Sequence, residues 1–219
     1  MKKLRLIRSK REPLRSILVR KSKDLLGLER VKKEAISSLY SKDGRRIIFI
    51  HNPKVAGSSL KDLIKVKGQT HALAREVCNK RAWKKHYIIS AIRHPFKRFV
   101  SSYKYHILSD YNGGMIDNYG KEFKELNAIE YFDLIKNHKR NSSSNFDFIM
   151  YPSKSKPFPD LILRYEDISG WDNILHENID GLQGKLPHKN KSKSMLDSDD
   201  EIKHFFDISR IKNINLFNS

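Results

Sequence analysis

Short continuous apolar runs alternate along the chain with longer segments of helical spacing. Residues 45–51, "RRIIFIH", and 86–93, "HYIISAIR", are dense in isoleucine and carry no regular polar alternation. Such runs predict strands buried on both faces. Residues 161–165, "LILRY", predict a third strand. Within 58–67, Leu60, Leu63 and Ile64 share one helical face. From Pro95 onward, Phe96, Phe99, Val100, Tyr103 and Ile107 recur at intervals of three and four, the clearest helix in the chain. Residues 129–136, "IEYFDLIK", predict another, and 138–160, polar and rich in Pro and Ser, predict a loop. Ser198 with Glu201 forms a capping-box pattern that opens a helix to about Arg210. Strands alternating with helices predict an α/β fold with a parallel sheet covered by helices. No internal repeat interrupts this pattern.

Two junctions carry the candidate chemistry. In "HNPKVAGSSL", residues 51–60, Pro53 ends the first strand, Gly57 permits a close backbone approach, and Ser58 is the expected N-cap of the helix that follows. Backbone N–H groups then converge on one spot backed by the helix dipole, and Lys54 adds a mobile cation, which together suit a phosphate. The plainer reading of the same stretch is a strand–turn–helix with a capping serine. A Walker loop sets its lysine after the last glycine, next to the magnesium-binding Ser/Thr. Here the order is Pro-Lys-x-x-Gly-Ser-Ser, and no Walker-B acid stands convincingly at a strand end. The second junction is "IRHPFKRFVSSYKY", residues 92–105. Arg93 ends a buried strand, where a guanidinium needs an anion or water. Arg98, Ser101, Ser102 and Tyr105 fall on the polar stripe of the helix, and Arg93 with Ser101 could close on one phosphate. Solvated arginines on an ordinary helix are the alternative. Both strand ends lie on the side where open α/β sheets bind ligands, and together they suit a nucleotide phosphorylated at both ends.

Composition adds the class of partner. The chain has 219 residues and a net charge of +19, so acidic partners are expected. Residues 1–34 hold 13 Lys and Arg against 4 Asp and Glu, and Leu4, Ile7, Leu14, Ile17 and Leu18 recur there at roughly helical spacing. This predicts a basic amphipathic extension over residues 1–40, packed on the domain or docked to a membrane surface or polyanion. Residues 41–219 form the expected main domain. Cys78 is the single cysteine, so no intrachain disulfide and no cysteine metal site can form. A reducing compartment follows, cytoplasmic or peripheral to a membrane, since no secretory leader or spanning segment is visible.

At these residues the chain resembles the PAPS-dependent sulfotransferases, in particular the carbohydrate sulfotransferase family 2 group. "FIHNPKVAGSSL" is similar to that group's 5′-phosphosulfate loop, FIHIPKTAGTSL, and "IRHPFKRFVSSYKY" to its 3′-phosphate segment, VRNPYDRLVSAYNY. "LILRYEDI" and "LPHKNKSK" resemble its later GRFENL and LPHLNKS stretches, in the same order, so the likeness runs from about Arg45 to Lys193. It implies a P-loop-like three-layer fold, with a central parallel sheet flanked by helices. It implies 3′-phosphoadenosine 5′-phosphosulfate (PAPS) as co-substrate, no metal, and a carbohydrate acceptor. It places Lys54 and the amides of Ala56, Gly57, Ser58 and Ser59 on the 5′-phosphosulfate and Arg93 and Ser101 on the 3′-phosphate. The Lys189–Lys193 stretch, with Lys189 and Lys191, would fold over the nucleotide. His94 departs from the family's Asp or Asn after the arginine, which removes the best cap at that helix start.

The transfer needs a base for the acceptor hydroxyl. His71, in "GQTHALAREV", is the candidate, because the family carries a histidine in a comparable GHxxAREI stretch. His51 reads as structural, His188 as part of the nucleotide lid, and Glu166 as an alternative base or a partner for Arg164 or a neighbouring basic group. Competing functions are a nucleotide kinase with a degenerate loop and a non-catalytic polyanion-binding protein. The absence of an RNA-binding aromatic signature argues against nucleic acid as a partner.

Overall fold

Four successive residues, Ile47 to Ile50, are 0–1% exposed, as a strand covered on both faces requires. They belong to β2 (Arg46–Ile50) in a computed structural model that describes Leu18, Ser22, Leu26 and residues 28–68, 71–108, 114–135, 145–151 and 158–187. Apart from Leu18, which is exposed, the expected amphipathic pattern before residue 28 lies outside the described residues, as do His188, the Lys189–Lys193 stretch and the helix from Ser198. The chain divides into a sheet unit, residues 12–94 and 145–189, and a helical unit, residues 1–11, 95–144 and 190–219.

The sheet unit holds five strands: β1 (Ile36–Ser41), β2, β3 (Tyr87–Ile92), β4 (Leu161–Arg164) and β5 (Ile179–Asp180), in the order β4-β3-β2-β1-β5. The pairs β2–β3 and β3–β4 are parallel, with Ile48 opposite Ile88 and Ile89 opposite Leu161. β1 runs antiparallel to both β2 and β5, so the sheet is mixed rather than wholly parallel. The cause is local. Lys42, Asp43 and Gly44 make a tight turn between β1 and β2, with Gly44 at φ 80° and its N–H bonded to Ser41 O. A turn that short can only return the chain antiparallel. The Asp43-Gly44 pair was the available hairpin signal. The expected boundary after residue 40 falls inside β1, and the segment ahead of it is also tied down. Asn79 accepts from Arg30 N at 3.2 Å and donates through Nδ2 to Leu28 O at 2.7 Å.

Alternate residues of the strands feed two clusters. Ile47, Phe49, Ile89 and Leu163 pack with Leu60 and Leu63 of α1 (Gly57–Leu63) and with Trp171 and Leu175 further on. Ile48, Ile50 and Ile88 pack with α2 (Ala74–Val77), α3 (Lys80–Lys85) and Phe148. α1 ends at Leu63 rather than near residue 67, because Lys65 turns left-handed at φ 55°. Cys78 is buried in the second cluster, and burial pushes its thiol up to about 12, which keeps it unreactive.

The helical unit is built on α4 (Pro95–Tyr103), extended by a π-turn at 104–108, with α5 (Gly114–Tyr119) and α6 (Ala128–Ile135). Phe99, Val100, Tyr103 and Ile107, the stripe read from the sequence, pack with Phe123 and the fully buried Tyr131. Within 138–160, expected as loop, Asn145–Ile149 form α7. Phe148 and Ile149, both 0% exposed, explain it: they anchor one turn in the second sheet cluster. α8 (Trp171–Asn178) follows β4. No helix among the described residues is long and apolar enough to cross a membrane.

Candidate active site

β2 delivers the chain into a loop with two left-handed residues that are not glycine, Lys54 at φ 64° and Ala56 at φ 58°. Ala56, not Ser58, is the N-cap of α1, and no side chain caps it. The first bond within the helix runs from Leu60 N to Ala56 O at 3.1 Å. The N–H groups of Gly57, Ser58 and Ser59 therefore lie ahead of the helical ladder, where an anion is stabilised. Val55 is fully buried in the core and fixes the middle of the loop. Burial, and then the Arg93 charge, lower Lys54 to about 8.

Arg93, at the end of β3, reaches this loop. Its Nη1 donates to Lys54 O at 3.3 Å, and its guanidinium carbon lies 3.9 Å from the centre of the Tyr165 ring. Its Nε is buried with no hydrogen-bond partner among the described residues. Burial lowers the arginine's affinity for its proton, opposed by Tyr165 and Glu166. Glu166 accepts from His94 N at 2.8 Å. That carboxylate occupies the role of a capping-box glutamate and offsets the poor cap left by His94, so Glu166 serves a backbone N–H rather than the side chain of Arg164.

Two asparagines missed in the sequence tie the strand ends together. Asn52 donates to Ala91 O at 3.2 Å and to Asn145 Oδ1 at 2.9 Å, and Asn145 donates to Arg93 O at 2.7 Å. Both are buried, so each lost bond strands a polar group. Asn145→Ala is expected to lower stability by about 2 kcal/mol, read from the urea midpoint at unchanged slope. The Asn52 side of the bridge follows the strand directly. Asn145 lies 93 residues away in sequence and gave no sign of it.

His51 and His71 meet on the other side of the loop. Their ring centres are 4.3 Å apart, and His71 Nδ1 lies 3.4 Å from His51 O. The neutral tautomer that carries its proton on Nδ1 donates there and keeps its lone pair on Nε2. His51 stacks on Phe49 at 5.2 Å, and its Nδ1 is buried without a partner among the described residues. Burial, then the charges of His71 and Lys61, lower His51 to about 3. The unfolded chain takes up this proton below about 6.5 and the folded protein only near 3. Stability is therefore complete above pH 6.5 and falls as pH drops toward 3, by roughly 1.4 kcal/mol per unit for this one group. Thermal midpoints across that window should fall less steeply in His51→Leu than in the wild type.

Gly57 serves this pair. It is not one of the left-handed glycines, and a Cβ on it would lie far inside contact distance of His51 Nε2. The close approach expected at Gly57 is thus made by the His51 ring. The structure brings Lys54, Ala56, Gly57, Ser58, Ser59, Arg93 and His71 into the sheet unit. Ser101 is half-buried on α4 in the helical unit. Its neighbour Ser102 is engaged there with Tyr131, Oγ to OH 2.8 Å, beside His106 Nδ1 at 2.6 Å from the same hydroxyl. Lys189 and Lys191 lie outside the described residues.

A partly buried lysine on a left-handed loop thus lies beside a stacked arginine whose Nε has no hydrogen-bond partner among the described residues, with a histidine pair next to the same loop. Residues 37–213 match the sulfotransferase family, and the chain belongs to that family. It is a transferase that moves sulfo groups. No curated protein and no solved structure matches the chain.

Proposed function

We propose that the protein moves the sulfuryl group of PAPS to a hydroxyl of a carbohydrate acceptor by in-line displacement. The observation that carries this reading is the approach of Arg93 to the Lys54 loop, Nη1 to the Lys54 backbone carbonyl at 3.3 Å, which sets two partly buried cations near each other. A bound polyanion relieves both. In this reading Lys54 and the amides of Ala56, Gly57, Ser58 and Ser59 hold the 5′-phosphosulfate. By the motif likeness Arg93 and Ser101 take the 3′-phosphate, and Lys189 and Lys191 close over the nucleotide. The parallel β2–β3–β4 core, with β2 and β3 buried on both faces, supports a P-loop-like three-layer arrangement. Residues 41–219 make the transferase domain, and the basic extension of residues 1–40 packs on that domain or docks on an acidic surface. The carbohydrate acceptor rests on the motif likeness alone.

Charge develops on the leaving phosphate oxygen, as in the related phosphoryl transfer, and Lys54 with the loop amides neutralises it. His71 takes the proton of the acceptor hydroxyl at Nε2, supported by the Nδ1 contact to His51 O. His71→Ala is expected to bind 3′-phosphoadenosine 5′-phosphate within about twofold of the wild type while turnover falls by roughly 10² to 10⁴. Retained turnover moves the base elsewhere.

Calorimetric titration with 3′-phosphoadenosine 5′-phosphate, ADP and ATP, with and without magnesium, tests the donor. Tight, magnesium-independent binding of the 3′-phosphorylated ligand alone is expected. Equal, salt-sensitive binding of all three would replace this reading with non-specific polyanion binding, and magnesium-dependent ATP binding would replace it with a kinase.

A further inference from the structure

We infer that Arg93 is a positioning residue for the loop that carries Lys54 as well as an anion ligand, with Tyr165 holding its guanidinium flat while one N–H grips the Lys54 carbonyl. The anion-ligand half of this statement rests on the donor reading above; the positioning half does not.

The loop needs such a grip. Left-handed backbone is disfavoured by about 1–2 kcal/mol for a residue with a Cβ, and Lys54 and Ala56 both adopt it within three positions. Neither the N-cap nor any capping side chain compensates at Ala56. The Arg93 Nη1 bond to Lys54 O, 3.3 Å long, acts on the first of the two strained residues, and its donor is charged, which strengthens it. The guanidinium has little freedom to leave. Tyr165 covers one face at 3.9 Å, and Asn145 holds the arginine's own carbonyl at 2.7 Å. The donors are thus divided. Nη1 serves the loop, and the buried Nε has no protein partner among the described residues.

A planar guanidinium holds its donors in a fixed fork while stacked on a ring, and a lysine ammonium does neither. Anything bound at Nε therefore also stiffens the guanidinium that holds Lys54. The two ends of the nucleotide are coupled through one side chain, and a donor lacking its 3′-phosphate loses order at the 5′ loop as well.

The test begins without ligand. Amide hydrogen exchange by NMR at Val55 to Leu60 is compared in the wild type, Arg93→Lys and Tyr165→Leu, with Ile48 and Ile89 as core controls. Exchange at Leu60, whose N–H bonds to Ala56 O, is expected to rise about tenfold or more in Arg93→Lys, and less in Tyr165→Leu, with the core unchanged. Unchanged exchange at Leu60 in Arg93→Lys overturns the inference. Should that variant not fold, Tyr165→Leu decides in the same way. The ligand arm uses adenosine 5′-phosphosulfate, which has no 3′-phosphate. Arg93→Lys is expected to weaken it by about tenfold or more, alongside 3′-phosphoadenosine 5′-phosphate. Weakening of the 3′-phosphorylated ligand alone assigns Arg93 purely to that phosphate, overturning the inference and leaving the donor reading intact. A wild type indifferent to the 3′-phosphate overturns the donor reading, and Leu60 exchange still decides the positioning role.

Discussion

Lys54→Ala lowers kcat/KM for sulfo transfer by about a thousandfold or more and leaves the thermal midpoint at or above that of the wild type. The two halves of this result have one cause. The ammonium is partly withdrawn from water and lowered to about 8 by burial and by Arg93, so it is a destabilising charge. Removing it relieves that desolvation penalty. During transfer the same ammonium faces the charge that develops on the leaving group, where poor solvation strengthens its effect. A structural lysine would give the opposite pattern, with stability lost and residual activity in proportion to the folded fraction. Steady-state kinetics and thermal unfolding on one preparation separate the two. Loss of stability with retained kcat/KM would take Lys54 out of the chemistry.

Gly57→Ala is the most damaging single-methyl change expected in the sheet unit. The new Cβ would meet His51 Nε2 at a distance no pair of heavy atoms sustains. The imidazole cannot step aside freely, because Phe49 stacks on it and His71 leans against it. Overpacking of this kind costs roughly 3 kcal/mol, and a displaced loop lowers turnover by about a hundredfold. The decisive measurement is the double variant. Because the clash is with one side chain, His51→Ala in the Gly57→Ala background should recover stability, and the two changes should be strongly non-additive. Simple addition of the two losses would show that the glycine is needed for its backbone and not for the space above it.

Periodicity and motif order revealed the elements whose faces are uniform. β2, β3 and β4 are apolar on both sides, α4 carries an unbroken stripe, and each lies where its spacing predicts. The elements that escaped have their cause elsewhere in the chain. β1 alternates weakly, Ser37 and Ser41 being buried polar residues satisfied by Ile64 O and Arg45 O, so its pattern does not read as a strand. α7 is a single turn fixed by Phe148 and Ile149 within a polar stretch. The candidate site divides in the same way. Lys54 and Arg93 stand at strand ends that the sequence marks. The reason for Gly57 lies in a ring six residues earlier, and the Asn52–Asn145 bridge joins segments that only the fold makes neighbours. Ser58 looked like a cap because serine prefers that position, but the left-handed turn at Ala56 places the cap two residues earlier.

The sheet's outermost described strand, β5, is two residues long. An open sheet edge is a template on which another chain can add a strand, and length and apolarity make it dangerous. Here the edge offers almost no backbone, its Asp180 is exposed, and Lys42 lies 3.7 Å from that carboxylate. On the β1 side the described sheet therefore ends in a short, charged stub that gives another strand little to add to, and β4 stands at the opposite edge.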